Sequence, residues 1–251
     1  MACKLCLQEN ELRQSHIIPE WAYKPAYNAK HKIVRLRPSD SAPVSTYQKG
    51  LREELLCQKC ETKLSGWENE LSRVVKAASG EPISGISVTQ IDSRYRIIGG
   101  FDYAAVKLAI VSIFWRMSVS HLTEFLDFNL GPYESKYRVM LDQNDSKREH
   151  QHPIIVFRLL LNGHHNPDMM MVYTQPIRYD DKYFMNKIVM YGFQFTLFST
   201  DPEPWTSFSP ICLRENGSIM VSDQRMGTDA VGPILHDLMR SEKVQRFYRN
   251  P

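Results

Sequence analysis

"LLCQKCETKLSGWENELSRVVKAA", residues Leu55–Ala78, joins a Cys-x-x-Cys turn directly to a helical pattern. Leu64, Trp67, Leu71, Val74 and Val75 recur at the spacing of one helix face. The helix is therefore expected to begin at or near Cys60, so that whatever holds Cys57 and Cys60 also holds its start. Glu61, Ser65 and Glu68 fall on a second shared side, because residues four and seven apart point alike. Glu61 also suits the positive end of the helix dipole.

A matching pair, "CKLC" at Cys3–Cys6, stands near the start of the chain. Zinc prefers four soft ligands in a tetrahedron, and each Cys-x-x-Cys turn delivers two sulfurs with little strain. Cys3, Cys6, Cys57 and Cys60 are thus expected to close one structural Zn2+ site with no open coordination position. Four thiolates around one dication leave a negative centre, which the neighbouring Lys4, Lys59 and Lys63 can offset. Such a clamp supplements a core too small to hold itself. The fifth cysteine, Cys212, reads as a small buried hydrophobe.

The 251 residues allow one large domain, or a small module and a larger one. Hydrophobic content of 43% and charged content of 24% fit ordinary globular packing, and a net charge of +3 does not define a partner. The placement of the basic residues says more. Lys24, Lys30, His31, Lys32, Arg35 and Arg37 crowd one short region, readable as a phosphate-contacting surface or as a solvated loop. No signal peptide is evident, and cysteines in paired knuckles fit a reduced, cytoplasmic compartment. The most apolar stretch, "AAVKLAIVSIFWRM" at 104–117, carries Lys107 and Arg116 and is shorter than the roughly 20 residues of a bilayer span. It reads as a buried helix, with Trp115 and Arg116 organising the core. A buried Arg116 needs a carboxylate or carbonyl partner, for which Asp127 and Glu134 are candidates.

The chain divides at residues 79–87, "SGEPISGIS", a linker or loop by composition. Residues 1–78 form the knuckle module and residues 79–251 an α+β domain. In the latter, a long buried helix from Tyr103 to about Phe128 is expected to stop at "NLGP", 129–132. The remainder reads as short strands, "PIIVFRLLL", "MMMVYTQPI", "KIVMYGFQFTLF" and "SPICL", with a hairpin turn at Asn216-Gly217. Met169, Met170 and Met171 read as core filling. His164 and His165 read as loop residues, and "DPEPW" at 201–205 as a turn. A last helix is expected after Gly227, with Pro233 in or near its first turn. The fold class is α+β, with an antiparallel sheet against the long helix.

"CKLC", then "SHIIP" at Ser15–Pro19, then "LLCQKCE" opening a helix, resembles the zinc-knuckle HNH endonucleases of the ββα-metal type. The resemblance covers about the first 75 residues. It implies a strand ending in a catalytic histidine, here His16, the general base that takes a proton from the attacking water. It also implies that Cys3, Cys6, Cys57 and Cys60 are the structural zinc ligands. Glu61 stands where the family commonly has a histidine ligand for the catalytic metal, and a carboxylate there suits Mg2+ or Mn2+. Ser15 stands where a metal-binding residue is common, and "GLREELLC" lacks the usual asparagine; Glu53, Glu54 or Glu68 are further oxygen donors.

The resemblance implies a metal-dependent DNA endonuclease, in a setting of bacterial defence against foreign DNA. Lys24, Lys30, Lys32, Arg35 and Arg37 would then contact phosphates. Residues 79–251 would position DNA, dimerise or sense a protein partner. The other expectation from the same residues is a non-catalytic zinc module binding nucleic acid or protein, with His16 in the core and Glu61 as a helix-start residue.

Overall fold

The computed structural model describes residues 1–28, 30, 32–35, 45–48, 50–168, 171–172, 177–179, 183–199 and 209–225. Near the N-terminus, strand β1 (Leu12–His16) is followed by a short helix α1 (Glu20–Tyr23) and a 3-10 turn at Lys24–Ala26. Strands β2 (Lys32–Arg35) and β3 (Ser45–Gln48) pair antiparallel as a separate ribbon. Strand β4 (Arg52–Cys57) returns antiparallel to β1, with His16 opposite Arg52 and Leu12 opposite Cys57. Helix α2 (Gln58–Ala78) follows without a linker, as the periodicity of Leu64 to Val75 requires.

Residues 79–87, read as a linker or loop, are a turn that runs into strand β5 (Ser87–Gln90), the first half of a hairpin with β6 (Tyr95–Gly99). Helix α3 spans Tyr103–Val119, capped by Asp102, whose carboxylate accepts from the Ala105 N–H at 3.0 Å. All residues from Val106 to Met117 are buried, so the helix is enclosed on every side. Its buried Lys107 is satisfied by the Tyr103 hydroxyl and the carbonyls of Arg148 and Gln151, at 2.6–3.0 Å.

The expectation that α3 continues to Phe128 is corrected: it ends at Ser120, which is extended. The cause is a carboxylate from β4. Glu53 accepts from the Ser120 hydroxyl at 2.7 Å and from the His121 N–H at 2.9 Å, and it contacts His121 Nδ1 at 2.7 Å. Gly131 and Pro132, read as stop signals for that helix, instead lead into helix α4 (Tyr133–Gln143), with Pro132 as its N-cap.

The remaining strands are β7 (Ile154–Leu161), β8 (His164–His165), β9 (Met171–Val172), β10 (Ile177–Tyr179), β11 (Tyr183–Met190), β12 (Phe193–Phe198) and β13 (Ser218–Arg225). Nine strands form one sheet in the order β10-β11-β12-β7-β13-β6-β5, with β8 on β7 and β9 on β11. The expected antiparallel sheet is therefore a mixed one: β13 runs parallel to β7, Ser222 opposite Phe157. Tyr191 and Gly192, at φ 54° and 73°, form the tight turn between β11 and β12, the mirror-image type that matches strand twist. His164 and His165, expected in a loop, form the short β8. "SPICL" is a 3-10 turn at Ser209–Ile211 and a single bridge from Cys212 to Ile155, not a strand.

The main core lies between α2, α3, α4 and one sheet face. It contains Leu71, Val75, Ile110, Phe114, Tyr137, Phe193, Phe195 and Val221, and it reaches Cys3, Cys57 and Cys60. A smaller cluster, including Ile155, Phe198 and the buried Cys212, sits separately. The protein is thus α+β with antiparallel and mixed sheets. Among the described residues no helix is long and apolar enough to cross a membrane. The expected helix after Gly227, the turn at 201–205 and the side chains of Met169–Met171 lie outside the described residues.

Candidate metal centre

The N-terminal turn carrying Cys3 and Cys6 is docked on the free edge of β4. Lys4 N–H donates to the Leu55 carbonyl at 3.0 Å, and Cys3 and Gln8 pair at 2.9 Å. Leu7, just after Cys6, takes the left-handed conformation (φ 60°) that lets the chain reverse. On the other side, Cys57 ends β4 and Cys60 lies in the first turn of α2. The ligand sulfurs of Cys3, Cys6, Cys57 and Cys60 all lie within 4.8 Å of one another.

The geometry fits a tetrahedral ion. Metal–sulfur bonds of about 2.3 Å place sulfurs roughly 3.8 Å apart, and Cys6 and Cys57 are 3.9 Å apart. The Cys57 N–H donates to the Cys3 sulfur at 3.3 Å. Burial pushes the Cys6 thiol up, and burial with the surrounding sulfurs pushes Cys60 far up. At Cys57 burial is outweighed by hydrogen bonds from Cys60 and the other sulfurs, which hold it below its ordinary value. A cluster that resists a full set of negative charges accommodates them around a dication. These four cysteines could hold a structural metal ion such as zinc. Lys63, expected to offset its charge, instead donates to the carbonyls of Leu141 and Asp142 at the end of α4.

His16 is the last residue of β1 and is half-buried. Its Nε2 accepts from Arg52 Nε at 2.9 Å, across the strand pair. Its carbonyl accepts from Arg116 Nη1 at 2.7 Å. The partner carboxylate of the buried Arg116 is Glu68, held by Nη2, rather than Asp127 or Glu134; Glu134 accepts from Ser118 instead, at 2.5 Å. Burial raises the Glu68 carboxyl above its ordinary value even though Arg116 opposes the shift. Glu61, one turn into α2, is close enough to add repulsion at Glu68. One Glu61 carboxylate oxygen is buried with no hydrogen-bond partner.

The structure therefore brings the four cysteines together, and links His16 to Glu68 through Arg116. Among the described residues, no other group of three His, Cys, Asp or Glu side chains converges as a metal cluster. Lys24 and Lys30 are exposed; Lys32 and Arg35 lie on β2, and Arg37 lies outside the described residues, as do the side chains of Lys32 and Arg35. Arg52 was not singled out from the sequence. Its place opposite His16 follows from the strand register, which the irregularity between Arg13 and Gln14 shifts by one residue. Comparison with protein-family models, with curated proteins and with solved structures finds no match for this chain.

Proposed function

We propose that the protein is a metal-dependent DNA endonuclease of the zinc-knuckle HNH type, hydrolysing phosphodiester bonds with a water nucleophile. One observation carries the reading. His16 ends β1, which pairs antiparallel with β4, and β4 continues directly into α2, where Glu61 presents a buried carboxylate oxygen without a hydrogen-bond partner. A metal held by the cysteine cluster would tie this strand pair to the helix start, so that both residues ride on rigid elements.

In this reading His16 removes the proton from water. The Arg52 guanidinium first occupies His16 Nε2, and on DNA binding it transfers to a phosphate oxygen, freeing that nitrogen. Glu61 fits a hard cation such as Mg2+ or Mn2+, which commonly takes one or two protein carboxylates beside substrate phosphate. Such an ion supplies charge neutralisation at the scissile phosphate. Lys24, Lys30, Lys32, Arg35 and Arg37 contact the DNA backbone, and residues 79–251 position DNA, dimerise or sense a partner. Defence against foreign DNA is the setting that the resemblance implies.

The test is cleavage of plasmid and single-stranded DNA with Mg2+ or Mn2+. His16→Ala is expected to cut about a hundred- to ten-thousand-fold more slowly while keeping its zinc and its fold. The Glu61→Gln defect should shrink as the metal concentration is raised, whereas His16→Ala should not respond. A folded His16→Ala variant that cuts at the parental rate removes His16 from the mechanism.

A second reading, a non-catalytic zinc module binding nucleic acid or protein, is favoured by one observation: both Arg52 and Arg116 engage His16, and Arg116 also occupies Glu68. It predicts nucleic-acid or protein binding with no divalent-dependent cleavage in the parent.

A further inference from the structure

The peptide that joins His16 to Ile17 is fixed on both sides. Its N–H, on Ile17, donates to the Leu51 carbonyl at 3.0 Å, and its carbonyl, on His16, accepts from Arg116 Nη1 at 2.7 Å. The first bond comes from the residue just before β4. The second comes from α3, 100 residues along the chain. His16 is the last residue of β1, and the pairing with β4 stops there, so these two bonds set where the chain leaves the strand.

Arg116 is itself held in place. It is 1% exposed, on a helix enclosed on every side. Its Nε donates to the Ser112 carbonyl at 3.3 Å, one turn earlier in the same helix, and Nη2 holds Glu68 of α2. Nε, Nη1 and Nη2 thus each have a partner, and a planar fork fixed in this way has little freedom left. The end of α3 grips the same strand pair a second time, through the bonds of Ser120 and His121 to Glu53 of β4. Both strands that carry the His16–Arg52 contact are therefore anchored on α3.

We propose that Arg116 is a positioning residue for His16, so that the site carried by residues 1–78 is completed by α3; this rests on the reading of His16 as the general base. A base acts only within hydrogen-bond reach of the water it deprotonates. A displacement of about 1 Å can cost on the order of a hundredfold in rate. The imidazole branches from the Cα beside the fixed peptide, so the guanidinium sets where the ring stands without touching water, DNA or metal. Lysine cannot substitute, because a single ammonium lacks the planar fork that serves the His16 carbonyl and Glu68 together. Whatever displaces α3 reaches His16 through this side chain, which gives residues 79–251 a direct hold on the reaction.

The experiment is single-turnover cleavage of plasmid DNA by the zinc-loaded full chain at saturating Mn2+, comparing Arg116→Lys, His16→Ala and the two combined. Arg116→Lys keeps a cation beside Glu68. It is expected to fold, to keep its zinc and to bind DNA as the parent does, but to cut about ten- to a hundredfold more slowly at saturating DNA. In the His16→Ala background the same change should cost nothing more, because Arg116 acts through His16; a residue that only stabilises the fold would give additive losses. Should Arg116→Lys fail to fold, Arg116→Met with Glu68→Gln, which removes both buried charges together, takes its place with the same expectations. A second readout needs no cleavage. The imidazole nitrogen NMR resonances of His16, assigned by their loss in His16→Ala, should shift in the Arg116 variant. A parental cutting rate in the folded variant, additive losses, or unmoved His16 resonances overturn the proposal. A parent that cuts no DNA, with the His16 resonances shifted in the variant, overturns the nuclease reading instead and leaves the positioning role standing.

Discussion

Arg116 Nη1 donates to the carbonyl oxygen of His16 at 2.7 Å, while Nη2 of the same guanidinium holds Glu68. One buried cation from α3 therefore fastens the end of β1 to the middle of α2. Arg116→Ala strands a buried carboxylate and an unpaired carbonyl, and is expected to lower unfolding stability by about 3–5 kcal/mol. Arg116→Met combined with Glu68→Gln removes the charges together and should cost much less. Urea unfolding of the two variants checks this, and equal losses would exclude an ionic role.

The sulfur cluster holds the start of α2, whereas its second half, Leu71 to Ala78, is packed in the main core. Removing zinc with a chelator should therefore loosen the helix from one end. Amide exchange is expected to accelerate from Cys57 to Leu64 and to stay slow from Leu71 to Ala78. Uniform acceleration across the helix would contradict this. Elemental analysis of untreated protein should give one zinc per chain, and Cys57→Ser should lose it.

Glu53 has its carboxyl held below the ordinary 4.5: burial opposes, but the bonds from Ser120 and His121 outweigh it. The unfolded chain thus takes up a proton before the folded one does. The stabilisation is complete above about pH 4.5 and is lost as pH falls through the lower folded value. Glu53→Gln should be less stable than the parent at pH 7, and the two should converge in acid. A constant difference at all pH values would refute the assignment.

His165 behaves oppositely in sign of charge but not in direction. Burial pushes it from 6.5 to about 4, aided by Arg158 and Arg96 and opposed by the Leu159 carbonyl and Asp223. It rests on Phe193 and contacts the Ser79 hydroxyl at the end of α2. The unfolded chain binds this proton first, so stability present above pH 6.5 declines toward pH 4. His165→Phe should flatten stability between those values, as measured by denaturant titration at several pH values. An unchanged slope would show that another group carries it.

What could be read from the sequence was local. The knuckle spacing of Cys57 and Cys60 and the period from Leu64 to Val75 define a cluster and a helix without reference to the rest of the chain. Tyr191-Gly192 likewise sits between two apolar runs, although the turn itself was not singled out. The end of α3 was misread because Ser120 and His121 are captured by Glu53, far away in sequence, and no signal near Ser120 announces it. The parallel pairing of β7 with β13 is equally non-local. At the candidate site, His16 was found by its neighbours in sequence, but Arg52 and Arg116 reach it only through register and tertiary packing.

The placement of β13 bears on how the molecule is assembled. This strand, residues 218–225, lies between β6 and β7, although both are made long before it. During synthesis the β5–β6 hairpin and the strands from β7 to β12 must wait as separate half-sheets, each with an open hydrogen-bonding edge. Such edges are templates for pairing with other chains. Closure joins partners more than a hundred residues apart, since Ile98 pairs with Ile219, and long-range pairing of this kind is slow. The ribosome-bound chain is therefore most exposed to aggregation in the interval before β13 emerges, and a chaperone acting on it would have those two edges to shield.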